Sequence, residues 1–370
     1  MAVEQLYQGS KDVFLVGVRA DFDAVEDQAL KSMKALKDWS ILGSSGDTKS
    51  LFTQVSNITS SGDRAVWRSV GATGVQKLGN RAAGQPYPAA QFLRGYETEV
   101  TDPNDQWAVE FTVPEERDAK EAAEYKQVLN RAQKLLYSID RQNMADIFEL
   151  WNLAFTAPTS YPDKFFVKGN RGLDGNYTAL GEYLISIQHA LASGLTTISN
   201  AVQSSGNAAA FSDPNYYASK EQGGTIVDDV NLPMPMFGGK TTLIVPPANG
   251  LPRLAMEING SEWKTDTALN DINALQGLLG QVKTSPYLLK SFYVASVANT
   301  KAWFMVDEEV RDPEVGTGLV QVGFVPLQTK TERREAIDAI VYKVKEQYSY
   351  GWNDWRNIMG SKGDGAAYSN

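Results

Sequence analysis

The sequence contains no cysteine. Disulfides, thiolate nucleophiles and cysteine-held zinc or iron–sulfur centres are therefore excluded. It has a single histidine, His189. Ser–His–Asp catalysis would have to run through that residue alone, and a metal site of clustered histidines is ruled out. No stretch approaches the roughly 20 apolar residues of a membrane-spanning helix; FLVGV at 14–18 is only strand-sized. The N-terminal region lacks the basic flank and long apolar run of a secretory signal, so an intracellular, soluble product with no membrane partner is expected. There is also no dense basic run. With 35 Lys and Arg against 44 Asp and Glu, the formal net charge is −9, a poor balance for sequence-specific nucleic-acid binding.

What is present is architectural. A chain of 370 residues allows one large or two to three small domains. The 8 tryptophans and 16 tyrosines read as core and interface anchors rather than as sugar-stacking platforms. The segment 115–157 contains no glycine and no proline and is bracketed by Pro114 and Pro158. Its apolar positions fall at helical spacing, including Val128, Leu129, Leu135, Leu136, Ile147, Leu150 and Trp151. A helix over 114–157 is predicted, with Pro114 in the first turn and Glu115 and Glu116 at the positive end of its dipole. Unbroken, it would be roughly 60 Å long, a rod that suits an extended building block better than a compact enzyme.

Along the chain, residues 1–20 read as an extended lead-in and Asp21 to Trp39 as an amphipathic helix. Residues 43–90, rich in Gly, Ser and Ala, read as loop, arm or extended strand. A hairpin is predicted next, pairing 91–100 with 106–113 through the turn residues Thr101–Asp105. After Pro158 helices are expected over 178–192 and 195–203, then loops over 204–240. Strands are expected at 241–247, 302–310 and 319–326. The run Ile340–Trp352 alternates with one apolar and one wetter side, as in a long antiparallel strand.

Carboxylates are the remaining catalytic material. Glu97/Glu99, Glu115/Glu116 and Glu308/Glu309 are adjacent in sequence, but a glycosidase needs two carboxyls about 5–10 Å apart across a pocket, and solvated surface is the expected role. His189 reads as a structural histidine. Asp213, Asp228 and Asp229 lack the D-x-D-x-D-G spacing of a calcium loop. GGKTT at 238–242 resembles half a P-loop, but Met234 stands where the first glycine belongs. No catalytic, cofactor or metal residues are assigned, and no enzyme activity is expected.

Three segments carry a family resemblance. TTLIVPPANGLPRLAMEI (241–258), SPYLLKSFYVASVANTKAWFMVDE (285–308) and YKVKEQYSYGWNDWRNIMGSKG (342–363) resemble stretches of tailed-bacteriophage major capsid proteins, and the order of elements resembles the Hong Kong 97-type fold. The resemblance covers roughly 90–363. It implies an α+β phage major-capsid fold with an N-terminal arm (1–90), an extended hairpin loop (91–113) and a peripheral domain (114–230) that includes a spine helix (114–157). An axial domain (231–335) and a return strand with C-terminal tail (336–370) complete it. The implied function is self-assembly into hexamers and pentamers of an icosahedral shell around a double-stranded DNA genome. Scaffolding, portal and cement or decoration proteins would be partners, and contact with packaged DNA would be non-specific. The implied location is the virion, and the host cytoplasm during assembly. Asp102, Asn104 and Asp105 at the hairpin tip, with Trp107 and Phe111 as buried anchors, are the implied inter-subunit contacts. An encapsulin-type shell, a phage tail or decoration protein and a carbohydrate-active enzyme are the alternatives.

Overall fold

The computed structural model describes residues 53–55, 60, 61, 64–70, 97–101, 108–114, 138, 141–162, 164–167, 182–191, 197–228, 231–234, 236–261, 276, 277, 279–295, 297–307, 318–334 and 339–368. Of the expected arm (1–90) they include only 53–55, 60, 61 and 64–70; the helix expected at 21–39 and residues 115–137, 139 and 140 of the long helix lie outside them. The described residues fall into two compact units. One holds 108–114, 138–144 and 324–348; the other holds the rest.

The strands, in chain order, are β1 (Thr53–Val55), β2 (Ser60–Ser61), β3 (Arg64–Val70), β4 (Glu97–Thr101), β5 (Ala108–Pro114), β6 (Phe165–Phe166), β7 (His189–Ala190), β8 (Thr197–Ile198), β9 (Gln203–Ser204), β10 (Asn207–Ala208), β11 (Thr241–Val245), β12 (Leu279–Thr284), β13 (Trp303–Asp307), β14 (Leu319–Arg334), β15 (Ala339–Trp352) and β16 (Ile358–Ser361). The helices are α1 over 141–152, α2 (Asp213–Gly223) and α3 (Leu251–Gly260). The fold is mixed α+β.

The smaller unit is built on β5 and the far parts of β14 and β15. β5 runs antiparallel to β15, with Val109 opposite Val344, Phe111 opposite Tyr342 and Val113 opposite Ile340. The apolar alternation of one strand thus meets that of the other, and Glu110 stands opposite Lys343. This corrects the expected hairpin. β4 and β5 both form, but they pair elsewhere: β4 lies antiparallel to β3, with Trp67 opposite Val100 and Arg68 opposite Glu99. Pro114 is likewise corrected from first helical turn to last residue of β5, opposite Ala339. A strand end tolerates the missing N–H.

The larger unit centres on a four-stranded sheet in the order β12-β11-β13-β16. β11 and β12 are parallel, joined through α3; β13 and β16 add antiparallel. All five residues of β11 and of β13 are buried, as expected for central strands covered on both faces. α3 follows a left-handed Gly250 (φ +70) and lays Leu251, Ala255 and Ile258 inward at helical spacing. Trp303, Met305, Tyr216, Phe211 and Phe237 fill the same core.

Three further expectations change. The described residues 182–191 and 197–203 are not helical: they form the short antiparallel pair β7–β8, the first strand of the pair β9–β10 and irregular backbone. Here Asn200 and Ser186 side chains bond main-chain groups, which competes with helix formation. Within the expected loop 204–240 stands α2, capped by the Ser212 hydroxyl, which accepts from Asn215 N, with a proline at its start. Finally, Gln347 to Trp352 are all buried, so this end of β15 has no wet side. At the foot of β14, Gly318 has φ +79 and packs against the backbone oxygen of Asp354, where a Cβ would stand 2.2 Å away; only glycine fits.

Candidate functional site

α1 carries two stripes. Its apolar one is Ile147, Phe148, Leu150 and Trp151, all at most 1% exposed. The polar one, at spacing three, is Asp146, Glu149 and Asn152, each 0% exposed. Buried polar groups require partners, and these find them in the loop after β12. Glu149 accepts from the Ser291 hydroxyl, from Phe292 N at 3.0 Å and from Asn152 Nδ2 at 3.3 Å. Asn152 Nδ2 also donates to the carbonyls of Tyr287 (2.8 Å) and Lys290 (3.0 Å), and Asn299 Nδ2 donates to Asn152 O at 2.7 Å. Asp146 accepts from the Tyr293 hydroxyl at 2.8 Å and pairs with Lys164.

The clasped loop is therefore fixed from below while its tip faces outward. Phe292 is 50% and Tyr293 39% exposed, two of the few large apolar side chains so placed. Tyr287 stacks on Phe148 and packs against Phe292. A rigid, exposed aromatic tip loses little entropy when covered, which is what an interface anchor needs.

A second buried polar centre surrounds the single histidine. The His189 ring stacks on Trp355 at 3.9 Å. His189 Nε2 lies 2.9 Å from Asn200 Oδ1, and Nδ1 lies 3.4 Å from Glu182 Oε2. Asn200 Oδ1 also accepts from Ser186 N, while its Nδ2 donates to Leu184 O and Ile358 O. The histidine is thus built into the joint between the 182–200 segment and β16, 1% exposed.

Among the described residues, several others of the motifs bind the main chain or begin an element; Glu115, Glu116, Asp229, Glu308 and Glu309 lie outside them. Thr241 and Thr242 of GGKTT begin β11, and Lys220 of α2 donates to Gly239 O at 2.7 Å. Burial lowers the Lys220 pKa, against the pull of Asp307. Asp213 opens α2, and Asp228 Oδ1 accepts from Leu232 N at 2.7 Å. Of the contact candidates, Phe111 lies on β5 opposite Tyr342. Asp102, Asn104, Asp105 and Trp107 lie outside the described residues. The aromatic tip at 292–293 was not singled out by sequence, because its exposure depends on Asp146 and Glu149, more than 140 positions away.

Buried tyrosines set the alkaline limit. Burial pushes Tyr216 up to about 12, against its hydrogen bond with Thr241, and pushes Tyr368 up to about 12 as well. Tyr161, whose hydroxyl donates to Leu153 O, is raised well above the ordinary value by burial and by Glu149. An unfolded tyrosine ionises near 10, so folding costs nothing extra below pH 10 and is penalised as pH rises from there through the folded values. Each two-unit shift is worth about 2–3 kcal/mol at the far end of that window. Through these tyrosines denaturation midpoints should fall steeply above pH 10. Tyrosinate absorbance should then appear together with unfolding rather than before it.

No protein-family model matches the chain, and no curated protein matches it in sequence. In structure it is similar to the virus-like particle from Pyrococcus furiosus, at 11% identity and a TM-score of 0.39 over 92% of this chain and 98% of that one. It is similar to the capsid of cyanophage P-SCSP1u, at 13% identity and a TM-score of 0.44 over 86% of this chain and 88% of that one. It is similar also to the mature capsid of bacteriophage PhiM1, at 10% identity and a TM-score of 0.44 over 84% of each chain.

Proposed function

We propose that this chain is the major capsid protein of a tailed phage, a subunit that assembles with copies of itself into hexamers and pentamers of an icosahedral shell around double-stranded DNA. The observation that carries the reading is the pair β14 and β15, of 16 and 14 residues. An average strand has about 5–6 residues, and at about 3.3 Å per residue these reach roughly 45–50 Å. A compact enzyme has little use for strands of that length. A tile that must reach beyond its own core has every use for them.

The order of elements supports the same reading: a strand ribbon (β3–β4), then α1, then three strands of a sheet with its own core, then the long strands, then the last strand of that sheet. So does the resemblance of the segments 241–258, 285–308 and 342–363. Shell closure uses heterologous contacts that propagate between copies. Asp102, Asn104, Asp105, Trp107 and Phe111 remain contact candidates, joined now by Phe292. The expected partners are scaffolding, portal and cement proteins and, without sequence preference, packaged DNA. The net charge of −9 is compatible with DNA that must slide in and out. The place of action is the virion, after assembly in the host cytoplasm.

Electron microscopy of the purified protein, with sedimentation velocity, tests the reading. Closed polyhedral shells, or hexamers and pentamers that convert to them, are expected. A monomer or dimer that stays so at high concentration and in the presence of its own phage's scaffold would overturn it.

A further inference from the structure

The chain cannot form a disulfide, yet its core brings together two groups that can bond covalently without any oxidant. Lys164 precedes β6 and places its Nζ against Asp146 Oδ1 on α1. The side chains are 4% and 0% exposed. The Tyr293 hydroxyl touches both partners, accepting from Lys164 Nζ and donating to Asp146 Oδ1 at 2.8 Å. Aromatic rings cover the amine, Tyr293 at 4.2 Å and Phe165 at 5.2 Å from their centroids. Glu149, one turn along α1 and also fully buried, has both oxygens held by Ser291, Phe292 and Asn152, and its charge, like that of Asp146, favours the protonated lysine.

An ion pair stripped of water loses much of its advantage over the neutral pair. Burial lowers the Lys164 pKa even with Asp146 alongside, so the amine gives up its proton more readily than an exposed lysine would. The Tyr293 hydroxyl offers the path, taking a proton from the ammonium as it passes its own to the carboxylate. An amine and a carboxylic acid are then in contact, held by the helix on one side and the strand on the other. Such positioning removes part of the entropic barrier that free reactants face.

We propose that Lys164 and Asp146 condense within one chain to an isopeptide bond, with the Tyr293 hydroxyl carrying the proton. The Nζ lone pair attacks Asp146 Cγ, and a carbon–nitrogen bond forms. One carbon–oxygen bond breaks, and that oxygen leaves as water with two protons that began on the ammonium. An ammonium and a carboxylate become a neutral amide and one water, with no electron transferred and no co-reactant. The bond closes the chain from 146 to 164 and ties α1 to β6. In a protein without cysteine it does what a disulfide does elsewhere, restricting the unfolded chain. The inference stands on these three residues and is independent of the assembly reading.

Intact-mass measurement of the denatured full chain tests it. The expected mass is one water below that of the sequence, and digestion should yield a branched peptide joining the segments around Asp146 and Lys164. A full-mass chain giving separate linear peptides for both residues would overturn the proposal, leaving a plain ion pair. So would a missing water that maps elsewhere, such as a succinimide. Tyr293→Phe alters a residue at the exposed rim and keeps the ring. Sampled after a short pulse of expression, it should close at least tenfold more slowly than the parent chain. Equal rates would remove the hydroxyl from the mechanism. Lys164→Arg, which keeps the charge, should show the full mass at all times.

Discussion

Asn200→Ala should be among the most damaging single substitutions in the larger unit, lowering stability by at least about 4 kcal/mol. The side chain is 0% exposed and makes four hydrogen bonds to four places: Ser186 N, His189 Nε2, Leu184 O and Ile358 O. Alanine removes all four at once. Each stranded buried group costs about 1–3 kcal/mol unless water replaces the lost partner. Asn200→Asp separates the contributions. It keeps the acceptor for Ser186 and His189 but presents oxygen where Leu184 O and Ile358 O need donors, so it should also destabilise severely. The measurement is the midpoint of chemical denaturation for parent and both variants. An alanine variant within about 1 kcal/mol of the parent would mean that the amide is not the joint it is described to be.

Trp303→Ala is the second large effect, at about 3–5 kcal/mol. Trp303 is fully buried on β13, meets Phe211 edge-on at 5.4 Å, and donates from its indole nitrogen to Ala209 O at 2.9 Å. Truncation opens a cavity at the centre of the four-stranded sheet and strands a carbonyl. Trp303→Phe restores most of the volume but not the donor, and should recover the larger part of the loss. The remaining gap, about 1–3 kcal/mol, measures the hydrogen bond. If phenylalanine proves as harmful as alanine, the hydrogen bond outweighs the packing.

The strands were the legible part of the sequence. β11, β13 and β15 announce themselves by apolar runs or strict alternation, and β4 and β5 are strands where alternation puts them. Pairing was not legible. Val109, Phe111 and Val113 match an apolar face on β15 as well as any local partner, and only tertiary structure says which is used. α2 was missed because DPNYYASKEQG has too few apolar residues to show a period, although Ser212 and the proline after it form a start signal. Residues 182–203 misled in the opposite sense, since Leu184, Ile185, Ala190 and Leu191 can be fitted to a helix while Ser186 and Asn200 direct the backbone elsewhere. The polar stripe Asp146, Glu149 and Asn152 stood in plain view at spacing three. A search for apolar periodicity passes over it, and its partners near residue 290 are invisible from the local sequence.

The position of β16 has a bearing on how the chain is made. β13 lies between β11 and β16, and the Asn200 amide reaches Ile358 O, so the sheet and the 182–200 segment are both completed by residues 358–361. A ribosome translating this message must therefore pass residue 361 before the last strand of this sheet can dock. Contacts this far apart in sequence close late. Until then β13 exposes an open edge, and the joint around His189 lacks one wall. The sheet and the joint around His189 thus wait on the same four residues, and a chain stalled before residue 358 should be open, and open to proteases, at both places.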